Sequence, residues 1–400
     1  MMGASIVTKG GRRPLRVLHV YRTYFPDPPG GLQEAIRQIA LGCQPYGVES
    51  RIFTLSPKPA PSQIALPEGT VLRSRSWAAP ASCDLGGIGS VLRYRRAAAW
   101  ADVVNFHFPW PFGDVLHLLG GSSRPAVMTY HSDIVRQRML GQVYGPLMRR
   151  TLRAMDAVVA TSPAYARTSE VLKANVAPQR LRVIPLGMAD LADTAPNAGE
   201  AESLLQRFGL SGRPFLLALG VLRYYKGLHS LIEAAPAIAG DIVIAGSGPE
   251  MERLRALAAQ KGAANVVFAG QVSDAEKAAL LRGCRALVLA SQLRSEAFGM
   301  VLVEASMFAR PMVSCEIGTG TSYVNADGVT GFVVPPESPS ELAAAASRLL
   351  DDGALADRMG RAARCRYEQL FSGAALGRAY SDLYQEVVAA CAAGRSTQRA

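Results

Sequence analysis

The stretch Phe215-Leu-Leu-Ala-Leu-Gly-Val-Leu-Arg-Tyr-Tyr-Lys-Gly227 decides how the chain folds. Five apolar residues closed by a glycine have the length of a strand buried on both faces, and the apolar pattern resuming at Leu228 is that of a helix. The same strand, glycine loop and helix recur in residues 241–245 (DIVIA) followed by Gly246-Ser-Gly-Pro-Glu250. Further strands are expected at 266–269, 286–289, 311–314 and 331–334. Toward the amino terminus an equivalent series occupies 15–21, 50–55, 103–108, 126–130, 157–161 and 181–185. Strands alternating with helices make parallel sheets, so the chain reads as two successive doubly wound α/β units. Residues 188–214, rich in Ala, Asp, Gly and Pro, suit a linker, and from 341 onward the pattern is helical with breaks near Gly353 and Gly373.

A chain of 400 residues with 49% hydrophobic and 19% charged residues is packed and globular, which excludes disordered, coiled-coil and mini-protein classes. The net charge of +11 is confined to one half: residues 1–195 carry 23 basic and 12 acidic side chains, the remainder 20 of each. That asymmetry points to a polyanionic partner of the first half. Arg93, Arg95 and Arg96 occur together, and Arg136, Arg138, Arg149, Arg150 and Arg153 are interleaved with Met139, Leu140, Val143, Tyr144, Leu147 and Met148. An apolar and basic segment suits an anionic membrane surface or a pyrophosphate-linked lipid; no recognition helix, aromatic sheet or zinc module argues for nucleic acid. The six cysteines have no metal-ligand spacing and read as reduced thiols. Lys9, Arg12, Arg13 and Arg16 precede no apolar run of signal-peptide length, and no run is long enough to span a bilayer, so a cytoplasmic, peripheral protein is expected.

Ligands of open α/β sheets bind beyond the carboxyl ends of the strands, so the two units are expected to face each other across a cleft. After the first strand, Gly30-Gly31 precede an apolar-periodic helix at 35–41, where backbone can approach an anion. His131, at the end of the strand 126–130 and next to Asp133, is placed to donate a hydrogen bond or to titrate near neutrality. Arg223 and Lys226 put two cations in a strand-to-helix loop, as phosphate oxygens require. Gly246-Ser-Gly248 lacks the third glycine of a dinucleotide fingerprint, since Met251 stands there. In Ser295-Glu-Ala-Phe-Gly-Met-Val-Leu-Val-Glu-Ala305, Glu296 and Glu304 lie eight positions apart at a helix start, roughly 12 Å of rise if both are helical. Free amides near Phe298 and Gly299 would face an anion beside Glu296.

Taken together, the Gly30-Gly31 loop, TYHSD, GVLRYYKGL, GSGPE, FAGQVS and EAFGMVLVEA resemble the retaining GT-B glycosyltransferases of family 4, in order and over nearly the whole chain. The resemblance implies an acceptor domain at 1–190, a sugar-nucleotide domain at 191–370, both Rossmann-like, and a helix at 371–400 crossing back to the first. It implies Glu304 on the nucleotide ribose, Glu296 and the amides of Phe298 and Gly299 on the donor sugar, and Lys226 on the diphosphate. His131 would touch the donor sugar, the Gly30-Gly31 amides would face the diphosphate, and Gly248 and Val272 would border the base and ribose. The family's arginine after Gly220 is replaced by Val221. Arg223 either supplies that charge from a shifted backbone or is a surface residue.

The expected function is therefore transfer of a hexose, with a lean toward mannose or rhamnose from a GDP-sugar, to a lipid-linked glycan or polysaccharide acceptor, as in bacterial lipopolysaccharide assembly. Neither metal nor other cofactor is expected, because no Asp-x-Asp motif is present. A synthase or hydrolase of the same fold, or a catalytically silent nucleotide-sugar-binding scaffold, are the alternatives.

Overall fold

The computed structural model describes residues 13–27, 30–79, 83–120, 124–134, 138–192, 195–210 and 212–397, the side chains of 138–143 and 395–397 excepted. Lys9, Arg12 and Arg136 lie outside the described residues, as do the side chains of Arg138, Met139, Leu140 and Val143. The chain divides into two compact units: one holds the described residues up to Thr161, Ser169–Ala189 and the chain from Gly373, the other Ser162–Thr168 and Asp190–Ser372.

The first unit is built on strands β1 (Leu15–Val20), β2 (Val48–Ser56), β3 (Gln63–Leu66), β4 (Gly69–Ala78), β5 (Leu85–Gly86), β6 (Val103–Phe108), β7 (Ala126–Tyr130), β8 (Ala157–Ala160) and β9 (Leu181–Val183). Their order is β3-β4-β2-β1-β6-β7-β8-β9, with β5 on β4; β3 and β5 pair antiparallel and the rest parallel. Alternation puts Val17 and His19 of β1, Val103, Asn105 and His107 of β6, and Val127 and Thr129 of β7 on one face. That face packs under the helix Gly31–Cys43 and the last helix, Gly373–Thr397, through Ile39, Leu376, Tyr380 and Tyr384. The two helices meet backbone to backbone: a Cβ on Gly377 would stand 1.8 Å from the Gly42 carbonyl oxygen, so only glycine fits. Asn105 donates to the Tyr384 hydroxyl at 2.8 Å, and the hydroxyls of Thr129 and Tyr380 lie 3.1 Å apart.

The second unit has strands β10 (Phe215–Leu219), β11 (Asp241–Ala245), β12 (Val266–Gly270), β13 (Ala286–Leu289), β14 (Met312–Cys315) and β15 (Gly331–Val334), all parallel, in the order β12-β11-β10-β13-β14-β15. Strand order reverses between β10 and β13, which is where an open α/β sheet splays its loops and binds ligands.

Three corrections to the sequence reading arise here. The stretch 188–214 is not all linker, because Asn197 and Glu200 form a reciprocal capping box that starts a helix at Ala198–Gln206. Residues 162–168, expected in the first domain, cluster with the second unit: Thr168 donates to the Gly318 carbonyl at 2.7 Å and the Arg294 guanidinium lies over Tyr165. Strands β3, β4 and β5 were not anticipated. No helix among the described residues is long and apolar enough to cross a membrane.

Candidate active site

In the second unit the site grows from the two strands at the reversal. The loop after β10 turns through a 3-10 turn, Tyr224–Lys226, and ends on Gly227 with φ 63°. A Cβ at Gly227 would stand 2.0 Å from the Ala290 carbonyl oxygen, so glycine lets this loop lie on the one after β13. That contact brings Lys226 to Glu296: Nζ donates to Oε2 at 2.5 Å, with 13% and 12% of the two side chains exposed. Ser291 Oγ donates to the same oxygen at 3.3 Å, and Thr319 Oγ1 donates to the Glu296 carbonyl at 2.8 Å. Burial works against the ammonium of Lys226, but the carboxylate of Glu296, with Tyr225 and Glu304 behind it, outweighs burial and raises its pKa.

Glu296 is not helical. Gly299, at φ 81°, caps a helix that begins only at Met300, so Glu296 sits in the preceding turn and Glu304 in the helix Met300–Met307. The 12 Å rise expected from a continuous helix therefore does not apply. Among the described residues the amides of Phe298 and Gly299 donate to no backbone acceptor, as expected for a helix entrance; the Phe298 ring is core, edge-on to Phe371. Glu304 is matched by a residue that no motif flagged, Lys277, whose Nζ donates to Oε1 at 3.1 Å. Its pKa is lowered by burial but raised more by Glu304 and Asp274. The Ser273–Glu276 capping box fixes the first turn on which Lys277 stands.

Gly248 packs against the loop after β10, since a Cβ there would meet the Leu222 carbonyl oxygen at 2.4 Å; Leu222 N–H in turn donates to Ser247. Val272 is half-buried after β12. Val221 and Arg223 are both exposed, and the Arg223 side chain has no partner among the described residues. Lys226 is thus the only one of the two loop cations that the fold holds in place.

In the first unit, Gly30 caps the helix Gly31–Cys43 in extended conformation; a Cβ at Gly30 would stand 2.8 Å from Gln33 Oε1, and one at Gly31 would meet nothing within 4 Å among the described residues. His131 is 4% exposed and its ring is held by His107, with Nε2 3.0 Å from His107 Nδ1. Titration near neutrality, expected from Asp133, is not what the structure gives: burial pushes His131 down to about 3, and Asp133 Oδ1 accepts from the hydroxyls of Tyr130 and Ser169. Among the described residues, no group of three or more His, Cys, Asp or Glu is placed to hold a metal ion.

Comparison with known proteins gives this geometry a family. Residues 29–189 match the model for glycosyltransferase family 4, and residues 202–366 that for glycosyl transferases group 1. The D-rhamnosyltransferase WbpZ of Pseudomonas aeruginosa is 43% identical over 358 residues, 90% of this chain and 92% of that protein. The O-antigen chain mannosyltransferase C of Escherichia coli is 39% identical over 370 residues, 92% and 98% of the two chains. The chain is a family 4 glycosyltransferase. Solved structures show that its fold is GT-B: HepE of Anabaena in complex with UDP superposes with a TM-score of 0.78 at 18% identity, covering 93% of this chain and all of that one. Sucrose-phosphate synthase of Thermosynechococcus elongatus gives 0.76 at 23% identity over 94% of this chain and all of that one. Within this hexosyltransferase, the fold brings together Lys226, Glu296, Glu304, Phe298, Gly299 and Gly248 in one unit, and in the other places Gly30 and Gly31 at a helix start and His131 at a strand end.

Proposed function

We propose that this glycosyltransferase moves mannose or rhamnose, from a GDP-linked donor and with retention, to a lipid-linked glycan acceptor. The observation that carries the reading is the doubled pair Lys226–Glu296 and Lys277–Glu304 at the strand reversal. Two carboxylates, each held by its own lysine, offer acceptors for two sets of hydroxyls, and Lys226 keeps further N–H donors for a diphosphate. Glu304 takes the ribose and Glu296 the donor sugar; Gly248 and Val272 border the base, and the amides of Gly30, Gly31, Phe298 and Gly299 meet negative charge. Arg223, exposed and without a side-chain partner among the described residues, is proposed to swing onto the diphosphate when donor binds. His131 contacts the donor sugar. The C1–oxygen bond to the diphosphate breaks, the acceptor oxygen bonds C1 on the same face, and the acceptor's proton passes to the departing diphosphate. The names of the rhamnosyl- and mannosyltransferase relatives support the choice of sugar.

We propose no metal and no other cofactor, so turnover is expected to persist in excess EDTA within about twofold; abolition of turnover that magnesium restores would overturn this. Glu304→Ala is expected to raise the donor KM by about tenfold, the worth of a lost charge-assisted hydrogen bond, and less so for a donor lacking ribose hydroxyls. Equal KM for wild type and variant would remove the nucleotide from this pocket.

The acceptor reading extends to an anionic membrane on the cytoplasmic side. Its support is a face of the first unit where Trp77 is 75% exposed, Ile88 81% and Leu92 51%. Gly87 places the Trp77 indole beside the start of the helix Ile88–Trp100. Arg51, Arg93 and Arg96 line an open groove of about 560 Å³ on the same helix. Apolar tips ringed by arginines suit an anionic headgroup layer better than nucleic acid. The segment expected to share this role contributes Arg149 and Arg150, both exposed, but Tyr144 turns inward to bond Asp114. Trp77→Ala with Ile88→Ser is expected to weaken sedimentation with phosphatidylglycerol vesicles about tenfold without changing binding of a soluble donor. Unchanged sedimentation would remove this face from the proposal.

A further inference from the structure

His131 ends a row of three buried imidazoles. His19 of β1, His107 of β6 and His131 after β7 project from the same face of neighbouring strands, because their positions share one parity in the pleat. Their rings stack, with centroids 5.4 and 5.3 Å apart. Two hydrogen bonds join them, His19 Nδ1 to His107 Nε2 at 3.1 Å and His107 Nδ1 to His131 Nε2 at 3.0 Å. All three are 4% exposed or less, and burial keeps each of them neutral, with His19 and His131 at about 3. Each neutral ring carries one N–H and one lone pair, so the row has only two self-consistent polarities. In one, protons run from His19 toward His131; in the other they run back.

The blind end decides between them. His19 Nε2 is sealed in the protein with no hydrogen-bond partner among the described residues. If the protons ran back, that atom would be a buried N–H without an acceptor, a rarer and costlier arrangement than a bare lone pair. We infer that His19 and His107 are positioning residues that lock His131 as the tautomer with its proton on Nδ1. His131 Nε2 then accepts from His107, and Nδ1–H is the group offered at the open end of the row. Such a histidine donates to a hydroxyl or phosphate oxygen of a ligand and has no free lone pair with which to take the acceptor's proton. This extends the donor-sugar role proposed above for His131 and rests on it for its meaning in turnover, but not for the tautomer itself.

The test is long-range nitrogen–proton correlation on the full chain labelled with 15N-histidine at pH 7.5, with no ligand added. All three residues are expected to show a protonated, pyrrole-type Nδ1 and a pyridine-type Nε2. A protonated Nε2 on His131, or exchange between its two tautomers, overturns the inference. A second measurement uses the row's far end: His19→Phe keeps the ring volume and leaves His107 Nε2 facing no acceptor, whereas His107→Phe removes the N–H that His131 Nε2 accepts. By the same preference for a bare lone pair over an unanswered N–H, His19→Phe is expected to keep Nδ1–H on His131, and His107→Phe to release the His131 ring and lower kcat about tenfold. A protonated Nε2 or mixed tautomers of His131 in His19→Phe overturn the inference. If the tautomer is as stated while His131→Ala turns over donor normally, the row stands and the assignment of His131 to the donor sugar falls.

Discussion

Lys226→Ala is expected to lower kcat by about 10²–10³ with the fold intact, the cost of removing one preorganised charge from a developing anion. Two effects act in the same direction. The variant loses the cation that the loop after β10 holds at the strand reversal, and it leaves Glu296, 12% exposed, without the partner 2.5 Å away. An unmatched carboxylate at that depth repels the diphosphate that the lysine would have attracted. The double variant Lys226→Ala, Glu296→Gln separates the two: removing the stranded charge should recover donor affinity, while the chemical step stays slow. Arg223 is exposed and its side chain has no partner among the described residues, so its proposed swing onto the diphosphate adds to the held charge of Lys226 and does not replace it. Initial rates of donor consumption, with circular dichroism to check folding, decide the matter; a loss of less than about tenfold would place the departing diphosphate elsewhere.

Legibility followed burial. The parallel strands are continuous apolar runs that lie between two layers of helices, so β6, β7, β10, β11, β13 and β15 fall on the residues expected. Strand β4 is hard to read because buried polar residues follow Val71 and Leu72 in its interior: Arg73, 4% exposed, is held by the Ser56 hydroxyl at 2.8 Å and by Asp27 at 3.3 Å, so the pattern reads as a solvated loop. The short edge strands β3 and β5 pair only with it. At the site, glycines were informative because each marks a place where one loop lies on another, as Gly227 does on Ala290. Lys277 carried no such mark. It meets Glu304 through the packing of separate helices, a relation that spacing along the chain does not encode. His19 and His107 stand inside apolar strands, where a lone histidine reads as core; only the register of β1, β6 and β7 shows that they lead to His131.

The same row of histidines predicts how the first unit responds to acid. In the unfolded chain each imidazole titrates near 6.5, whereas in the fold His19 and His131 are pushed to about 3 and His107 well down, all by burial. A base whose folded pKa is depressed contributes stability that is fully present above its unfolded value and is lost as pH falls below it. At pH 5.5 His19 and His131 remove about 2–3 kcal/mol relative to neutral pH, and His107, lowered in the same direction, adds to that loss. Asp114 opposes them: burial raises it to about 7 in spite of its bond from Tyr144, so the fold takes up a proton there that the unfolded chain does not, which returns about 2 kcal/mol at the same pH. His117, also lowered by burial, adds to the loss, and Asp84, raised by burial, adds to the compensation. The balance favours the unfolded state by roughly one to two protons between about pH 6 and 4, or about 1–3 kcal/mol per pH unit. The urea midpoint of the first unit should therefore change little above pH 7 and fall steeply below 6, while Asp114→Asn should steepen the fall by about one proton. A midpoint that is flat from pH 7.5 to 5 would mean that the three imidazoles are hydrated, and with that the buried, neutral row behind His131 would be lost as well.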